Sequence, residues 1–270
     1  MKKIIIRNIV GLLVMAWLYY VMLPPINLSA ISFWIFLCLL AIIFFIANIG
    51  DSKWVVDKNQ VRFEKAPKYM TIPLAIIPIT IVVVLIVNIA TSPLFNSKAW
   101  ANRITVENAE FTKEINEVDF NTLPLLDKDS SQKLGDRTMG QNSEYVSQYY
   151  VSDLYTQINY NDEIIRVTPI EYDGVIKWFI NRKNGINAYI TVNSVNGESK
   201  LVKVENGLKY MPSAHFNEKL KRKLRFTYPT AIFGESRFEI NNEGHPYWIT
   251  PVIKYTGISS HITIVLKERV

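Results

Sequence analysis

Asp127, Asp129 and Asp136 stand close enough in sequence to invite a calcium site. An EF-hand loop, however, needs a glycine at its sixth position and a glutamate at its twelfth. Gln132 and Thr138 hold those places here, so the pattern fails, and Asp129 or Ser130 is expected to cap a short helix instead. His215, His245 and His261 lie far apart and outside any H-x-x-x-H spacing. No G-x-S-x-G elbow occurs. Gly185, Gly197, Gly207 and Gly234 stand singly, not in a phosphate-cradling loop. The sequence therefore assigns no catalytic, cofactor or metal-ligating residue, and it leans away from an enzyme.

Charge is the densest chemical signal. Lys219, Lys221, Arg222, Lys223 and Arg225 crowd one segment, and Phe216, Leu220 and Leu224 recur every four residues through it. The cationic face could dock on anionic lipid headgroups or an anionic wall polymer. The same pattern describes an ordinary domain helix with its stripe inward and a solvated basic face, which is the preferred reading. Trp178, Phe179 and the many tyrosines could line a groove, but core packing accounts for them more simply.

These residues are carried by a chain with two very different parts. No charged residue occurs between Arg7 and Asp51, and Tyr69 to Ser97 is a second uncharged run. A helix spanning the ~30 Å hydrocarbon core needs about 20 apolar residues. The prolines Pro24-Pro25 break the first run, so three spans are expected, at about 9–23, 28–49 and 70–90. Pro73 and Pro78 fall within the third and are tolerable there. A cleaved signal peptide would also use Lys2, Lys3 and Arg7, but its h-region would be long and its cleavage site poorly placed. The third run has no polar face of the kind a buried soluble helix usually shows.

Orientation follows from the basic flanks. The N-terminus and the 51–69 loop together carry Lys2, Lys3, Arg7, Lys53, Lys58, Arg62, Lys65 and Lys68, against Lys98 and Arg103 after the third span. The N-terminus and the loop are expected in the cytoplasm and residues 91–270 outside. The whole chain is +6, with 30 basic and 24 acidic residues, but residues 91–270 hold 22 and 21. The high pI of about 9.2 thus reports topology, and no nucleic-acid partner is expected. The single cysteine, Cys38, lies in the second span, so the outer part has no disulfide framework. It is long enough to bury a core without one.

Residues 91–143 read as a connector and the first part of the outer domain. Ser92 or Ser97 would cap a helix through Arg103, a strand follows at Ile104 to Glu107, and residues 127–144 form a loop with a short helix. Residues 144–270 read as an α+β domain. A strand at Ile164 to Val167 precedes a helix from Tyr172 to Asn184 that closes at Gly185. Ala188 to Val192 and Lys200 to Val204 then pair around Asn196-Gly197. A helix from Ser213 to Arg225 is followed by a hairpin of Phe238 to Ile240 and Tyr247 to Tyr255, and Ile262 to Leu266 reads as a last strand. Helix-then-hairpin occurs twice, as a degenerate repeat or as a coincidence of common elements.

Several strings carry a family resemblance. They are Leu126-Asp127-Lys128-Asp129-Ser130, Leu134-Gly135-Asp136-Arg137, Gln157-Ile158-Asn159-Tyr160, Val167-Thr168-Pro169 and Ile176-Lys177-Trp178-Phe179 with Asn181-Arg182-Lys183. Tyr228-Pro229-Thr230 with Phe233 belongs to the same set. Together they resemble a family of uncharacterised multi-span Firmicutes envelope proteins, over roughly residues 1–255. The hairpin Asn242-Glu243-Gly244-His245-Pro246-Tyr247-Trp248 is similar to those of PepSY-type exported domains. The resemblance implies a cell-membrane protein but transfers no activity or catalytic residue. It also implies further sequence beyond Gly257, so a truncated member is expected, with its second hairpin short of neighbours.

The sequence reading is a membrane-anchored α+β protein, with three N-terminal transmembrane helices and helix-plus-hairpin units outside. Its partners are the lipid bilayer and, beyond it, envelope proteins or anionic wall or lipid components. Binding or regulation leads as the function. An envelope hydrolase completed by a partner or a missing C-terminal part is the alternative, and a transmembrane sensor the weaker one.

Overall fold

A computed structural model describes residues 2–57, 60–102, 110, 122–260 and 262–269, with side chains described for 6–53, 65–102, 110 and 122–260. The strand expected at 104–107 lies outside the described residues. The chain divides into two units. One holds residues 1–104, 228–232 and 253–265, and the other holds 105–227, 233–252 and 266–270. Two short returns of the chain therefore group with the N-terminal helices, which a single boundary at residue 90 does not anticipate.

In the first unit, α1 (Lys2–Met22) and α2 (Ile31–Asn48) are antiparallel partners joined through Leu23 and Pro24-Pro25. Tyr19 meets Phe36 edge to face, with ring centroids 5.7 Å apart. The 51–69 segment is not a plain loop. β1 (Lys53–Asp57) pairs antiparallel with β2 (Gln60–Lys65), from Lys53↔Lys65 to Asp57↔Gln60. The third apolar segment then runs as α3 (Lys68–Thr71), a 3-10 turn (Ile72–Ala75) and α4 (Ile76–Ala90). Pro73 sits in the 3-10 turn, and Pro78 in the first turn of α4, where an N–H has no helical partner to lose. α5 (Ser97–Ala101) follows, and Asn96 occupies its cap position without a side-chain cap bond.

Two helices of this unit, Ile31–Asp51 and Lys68–Ala90, are long and apolar enough to cross a membrane, and Ile6–Met22 is a shorter apolar helix. Only 17% and 11% of the two longer ones are buried. Leu12, Leu13, Trp17, Ile35, Ile46, Ile79, Leu85 and Ile86 all face outward. A helix in the core of a soluble protein has the opposite distribution.

Polar contacts close both ends of this bundle. At one end Arg7 donates to both carboxylate oxygens of Asp51 and to Asn48 Oδ1, while the Tyr69 hydroxyl donates to Asp51. At the other, Ile26 N–H donates to Pro229 O (2.8 Å) and Asn27 Nδ2 to Thr230 O (2.9 Å). Ile31 N–H donates to Ser259 Oγ, and Ser259 N–H to Ser29 O. Asn88, near the end of α4, accepts from Ile258 N–H (2.9 Å) and Ser260 Oγ (2.6 Å) through Oδ1. Gly257 packs so closely there that a Cβ would meet Asn88 Oδ1 at 2.6 Å.

The second unit is built on a five-stranded antiparallel sheet of order β3-β5-β6-β7, with β4 also on β5. Its strands are β3 (Tyr149–Val151), β4 (Thr156–Tyr160), β5 (Glu163–Tyr172), β6 (Ile186–Asn193) and β7 (Ser199–Leu208). Asn161 and Asp162, both at positive φ, turn β4 into β5. Asn196-Gly197 turns β6 into β7 as the sequence suggests, with Gly197 at φ +78° and Asn193 Oδ1 accepting from Val195 and Asn196 N–H. Pro169 lies in the central strand, yet its missing N–H costs little. Its carbonyl accepts from Ser152, so the nitrogen faces the break between β4 and β3.

One face of this sheet carries α6 (Lys128–Gly140), which packs on β3, β6 and β7, followed by α7 (Ser143–Val146). Asp127, not Asp129 or Ser130, is the cap. Its Oδ1 accepts from Ser130 N–H at 2.7 Å. β9 (Arg237–Ile240) packs against β4 and β5. It forms the expected hairpin with β10 (Pro246–Tyr255), from Pro246↔Ile240 to Ile249↔Arg237. β8 (Ile232–Phe233) and β11 (Ile262–Arg269) also pair with β10, so that hairpin does have neighbours. Val167, Ile170, Trp178, Ile186, Ile190, Phe238 and Trp248 are fully or almost fully buried in one core. The short helices α8 (Val175–Asn181) and α9 (Leu220–Thr227) complete the unit. α8 is shorter than the expected 172–184, because Gly174 at φ +92° starts it and Gly185 at φ +67° lies beyond its end.

Gly135 explains itself in the middle of α6. A Cβ there would lie 2.1 Å from the Tyr155 hydroxyl, which is itself buried without a hydrogen-bond partner. Gly135→Ala should therefore destabilise the fold despite alanine's helix preference of about 1 kcal/mol, since overpacking costs about 1–3 kcal/mol. In a Tyr155→Phe background the same change should become stabilising. Thermal melts of the four proteins check this, and equal effects in both backgrounds would contradict it.

Candidate functional site

A cleft of about 810 Å³ lies beside α9 in the second unit. Its floor is apolar, formed by Leu154, Leu220, Leu224 and Phe233, and Lys128, Lys219, Lys221 and Arg225 stand around it. A second hollow of about 470 Å³ shares Lys128, Asp153, Leu154, Glu235 and Ser236 and adds Tyr155 and Arg237. Five cations thus face two carboxylates, Asp153 and Glu235, along one continuous groove. Such a site suits an anion that carries some apolar surface.

The segment that positions these cations is shorter than its sequence suggests. A 3-10 turn (Phe216–Glu218) precedes α9, and the stripe of Leu220 and Leu224 turns inward while Phe216 is 61% exposed. The five candidate cations are not one face. Lys219 and Lys221 are exposed on the cleft. Arg225 is buried, its guanidinium 5.2 Å from the Phe233 ring centroid. Arg222 is half-buried and donates to Phe216 O, and Lys223 lies over the Tyr210 ring.

The aromatic pair is also divided. Trp178 is 1% exposed and donates through Nε1 to Glu218 Oε2 at 2.8 Å, which is the core role expected of it. Phe179, its neighbour, is 67% exposed. Among the described residues, no group of three or more His, Cys, Asp or Glu side chains could hold a metal ion. His215 meets Trp178 edge to face, with ring centroids 5.3 Å apart. Asp127 stays below the usual carboxylate range because the Ser130 backbone N–H and hydroxyl serve it as a helix cap. Burial raises the hydroxyls of Tyr155 and Tyr172, and that of Tyr189 to about 12. These shifts report packing.

Comparison with family models, with curated proteins and with solved structures finds no match to this chain.

The tyrosine shifts set a limit on alkaline stability. Each folded-state pKa lies above the unfolded value of about 10, so the stability they contribute is complete below pH 10 and lost as pH rises through about 12. Tyrosinate absorbance and near-ultraviolet circular dichroism should show exposed tyrosines ionising first and buried ones only as tertiary signal disappears. Ionisation of every tyrosine near pH 10 with an intact tertiary signal would contradict this.

Proposed function

We propose that this is an integral membrane protein of the bacterial cell envelope that presents an α+β binding domain outside the cell. Its three apolar helices span the bilayer, with the N-terminus and the β1–β2 hairpin in the cytoplasm. The carrying observation is the outward-facing apolar surface of α1, α2 and the α3–α4 segment, which suits hydrocarbon and not water. Further support comes from segments 228–232 and 257–260. They bond to residues 26–31 and Asn88, at the end of the bundle opposite the Arg7–Asp51 pair, as expected for parts on the outer side. The likeness to Firmicutes envelope proteins and PepSY-type hairpins belongs to the same proposal.

The cleft beside α9 is the binding site in this reading, and its ligand is an anionic wall component. Cations over an apolar floor favour such a ligand. Binding of polyglycerol phosphate to the full-length protein in nanodiscs tests it. Binding should weaken with salt, as exposed charges are screened over about 8 Å at physiological ionic strength. Lys219→Glu with Lys221→Glu should weaken it at least ~10-fold, since 1.4 kcal/mol corresponds to that factor. Undiminished binding by the double variant would contradict the cleft as the site.

A further inference from the structure

Helix α8 shows its apolar residues to solvent. Val175, Ile176, Phe179 and Ile180 are 51%, 70%, 67% and 65% exposed, while Trp178 alone faces the core. At 100° per residue they fill an arc of about 140° on one side of the helix. Phe216 adds to them. It is 61% exposed, and its ring centroid lies 5.7 Å from that of Trp178. The stripe thus protrudes as a cluster of large side chains, where a domain of this kind normally shows only scattered ones.

The rim of this cluster is mainly cationic, with exposed Asp173 just before α8 and Glu218 bonded to Trp178 as its acidic neighbours. From Gly174 to Asn184 the chain carries Lys177, Arg182 and Lys183 and no acidic residue. Arg182 lies over the Trp178 and Phe179 rings at 5.2 and 5.5 Å, so its charge stays beside the patch. Lys183 is exposed. Protruding aliphatic and aromatic side chains within a mainly basic rim are what an anionic lipid interface receives. The apolar groups enter the headgroup–acyl boundary, and each nearby Lys or Arg adds attraction to the anionic surface.

We infer that α8 and Phe216 dock the outer domain on an anionic bilayer surface, a second membrane contact separate from the spanning helices. The inference rests on the membrane reading above, because a tether keeps the domain beside a bilayer and a weak contact then suffices. It does not involve the cleft, whose cations are different residues.

The test uses full-length protein carrying Cys38→Ser and Phe179→Cys, with a polarity-sensitive fluorophore on the new thiol. It is reconstituted into phosphatidylcholine vesicles with or without phosphatidylglycerol. Emission should shift to the blue, and lipid-borne doxyl groups should quench it, in the vesicles containing phosphatidylglycerol. Both effects should be lost in high salt and in a Lys177→Glu, Arg182→Glu, Lys183→Glu variant. A label at Lys200→Cys on β7 should stay water-exposed throughout. Water-like, unquenched emission at position 179 in protein that remains with the vesicles after alkaline washing overturns this inference alone. Shielding that persists in detergent and grows with protein concentration assigns the patch to a second copy and overturns it too. Protein stripped from the vesicles by the wash overturns the membrane reading and this inference together.

Discussion

The first hundred residues are governed by apolar surface that has nowhere to go in water. Three helical segments rich in Ile, Leu, Val and Phe pack on one another and leave much of their apolar side chains outside. Burying such surface is worth roughly 25 cal/mol per Å², and water would oppose its exposure at that rate. In hydrocarbon the sign of the problem reverses. Backbone polar groups must then be satisfied internally, and the helices do this, with Thr91 Oγ1 closing the end of α4 on Val87 O. Arg7–Asp51 and Asn88–Ile258 pair polar side chains near the bundle's ends, and Cys38 Sγ meets Thr80 Oγ1 between two of its helices.

The second unit follows the more familiar logic. β5 is buried along most of its length because α6 packs on the sheet on one side and β9 meets β5 as well. Close backbone approaches demand glycine at defined places. A Cβ at Gly207 would stand 2.2 Å from Asn184 O, and one at Gly185 would stand 2.8 Å from Leu208 O. These two positions accompany the irregularity at the start of the β6–β7 pairing. The unit thus buries its core with an ordinary sheet-and-helix arrangement and leaves a charged cleft and an apolar helix face unfilled.

The sequence made local chemistry legible and long-range chemistry not. Pro24-Pro25, Asn196-Gly197 and the Asn241–Gly244 turn all act over a few residues, and each marks a turn where expected. The β1–β2 hairpin was equally local, since Trp54, Val55, Val56, Val61 and Phe63 are strand-forming types, but the basic residues between two apolar runs suggest a loop. The cap of α6 could not be chosen among Asp127, Asp129 and Ser130, which all suit the role. The candidate site was legible only in part. Periodicity marks the stripe of α9 as core-facing, but for the α8 segment core packing of Trp178 and Phe179 is all that is expected. In α9 the stripe points inward, whereas in α8 a single tryptophan does and the stripe points out. Asp153, Glu235 and the floor residue Phe233 also line the cleft, and only the fold brings these beside residue 219.

The central claim is that the apolar helices span a bilayer and hold residues 91–270 outside. Substituted-cysteine labelling in intact cells measures this most directly, in a Cys38→Ser background with single thiols at Lys65→Cys or Lys200→Cys. Both side chains are solvent-facing, Lys65 at the end of β2 and Lys200 on β7. An impermeant maleimide should label position 200 in whole cells and position 65 only after the cells are opened. Labelling of position 65 in intact cells with protection of position 200 would contradict the account.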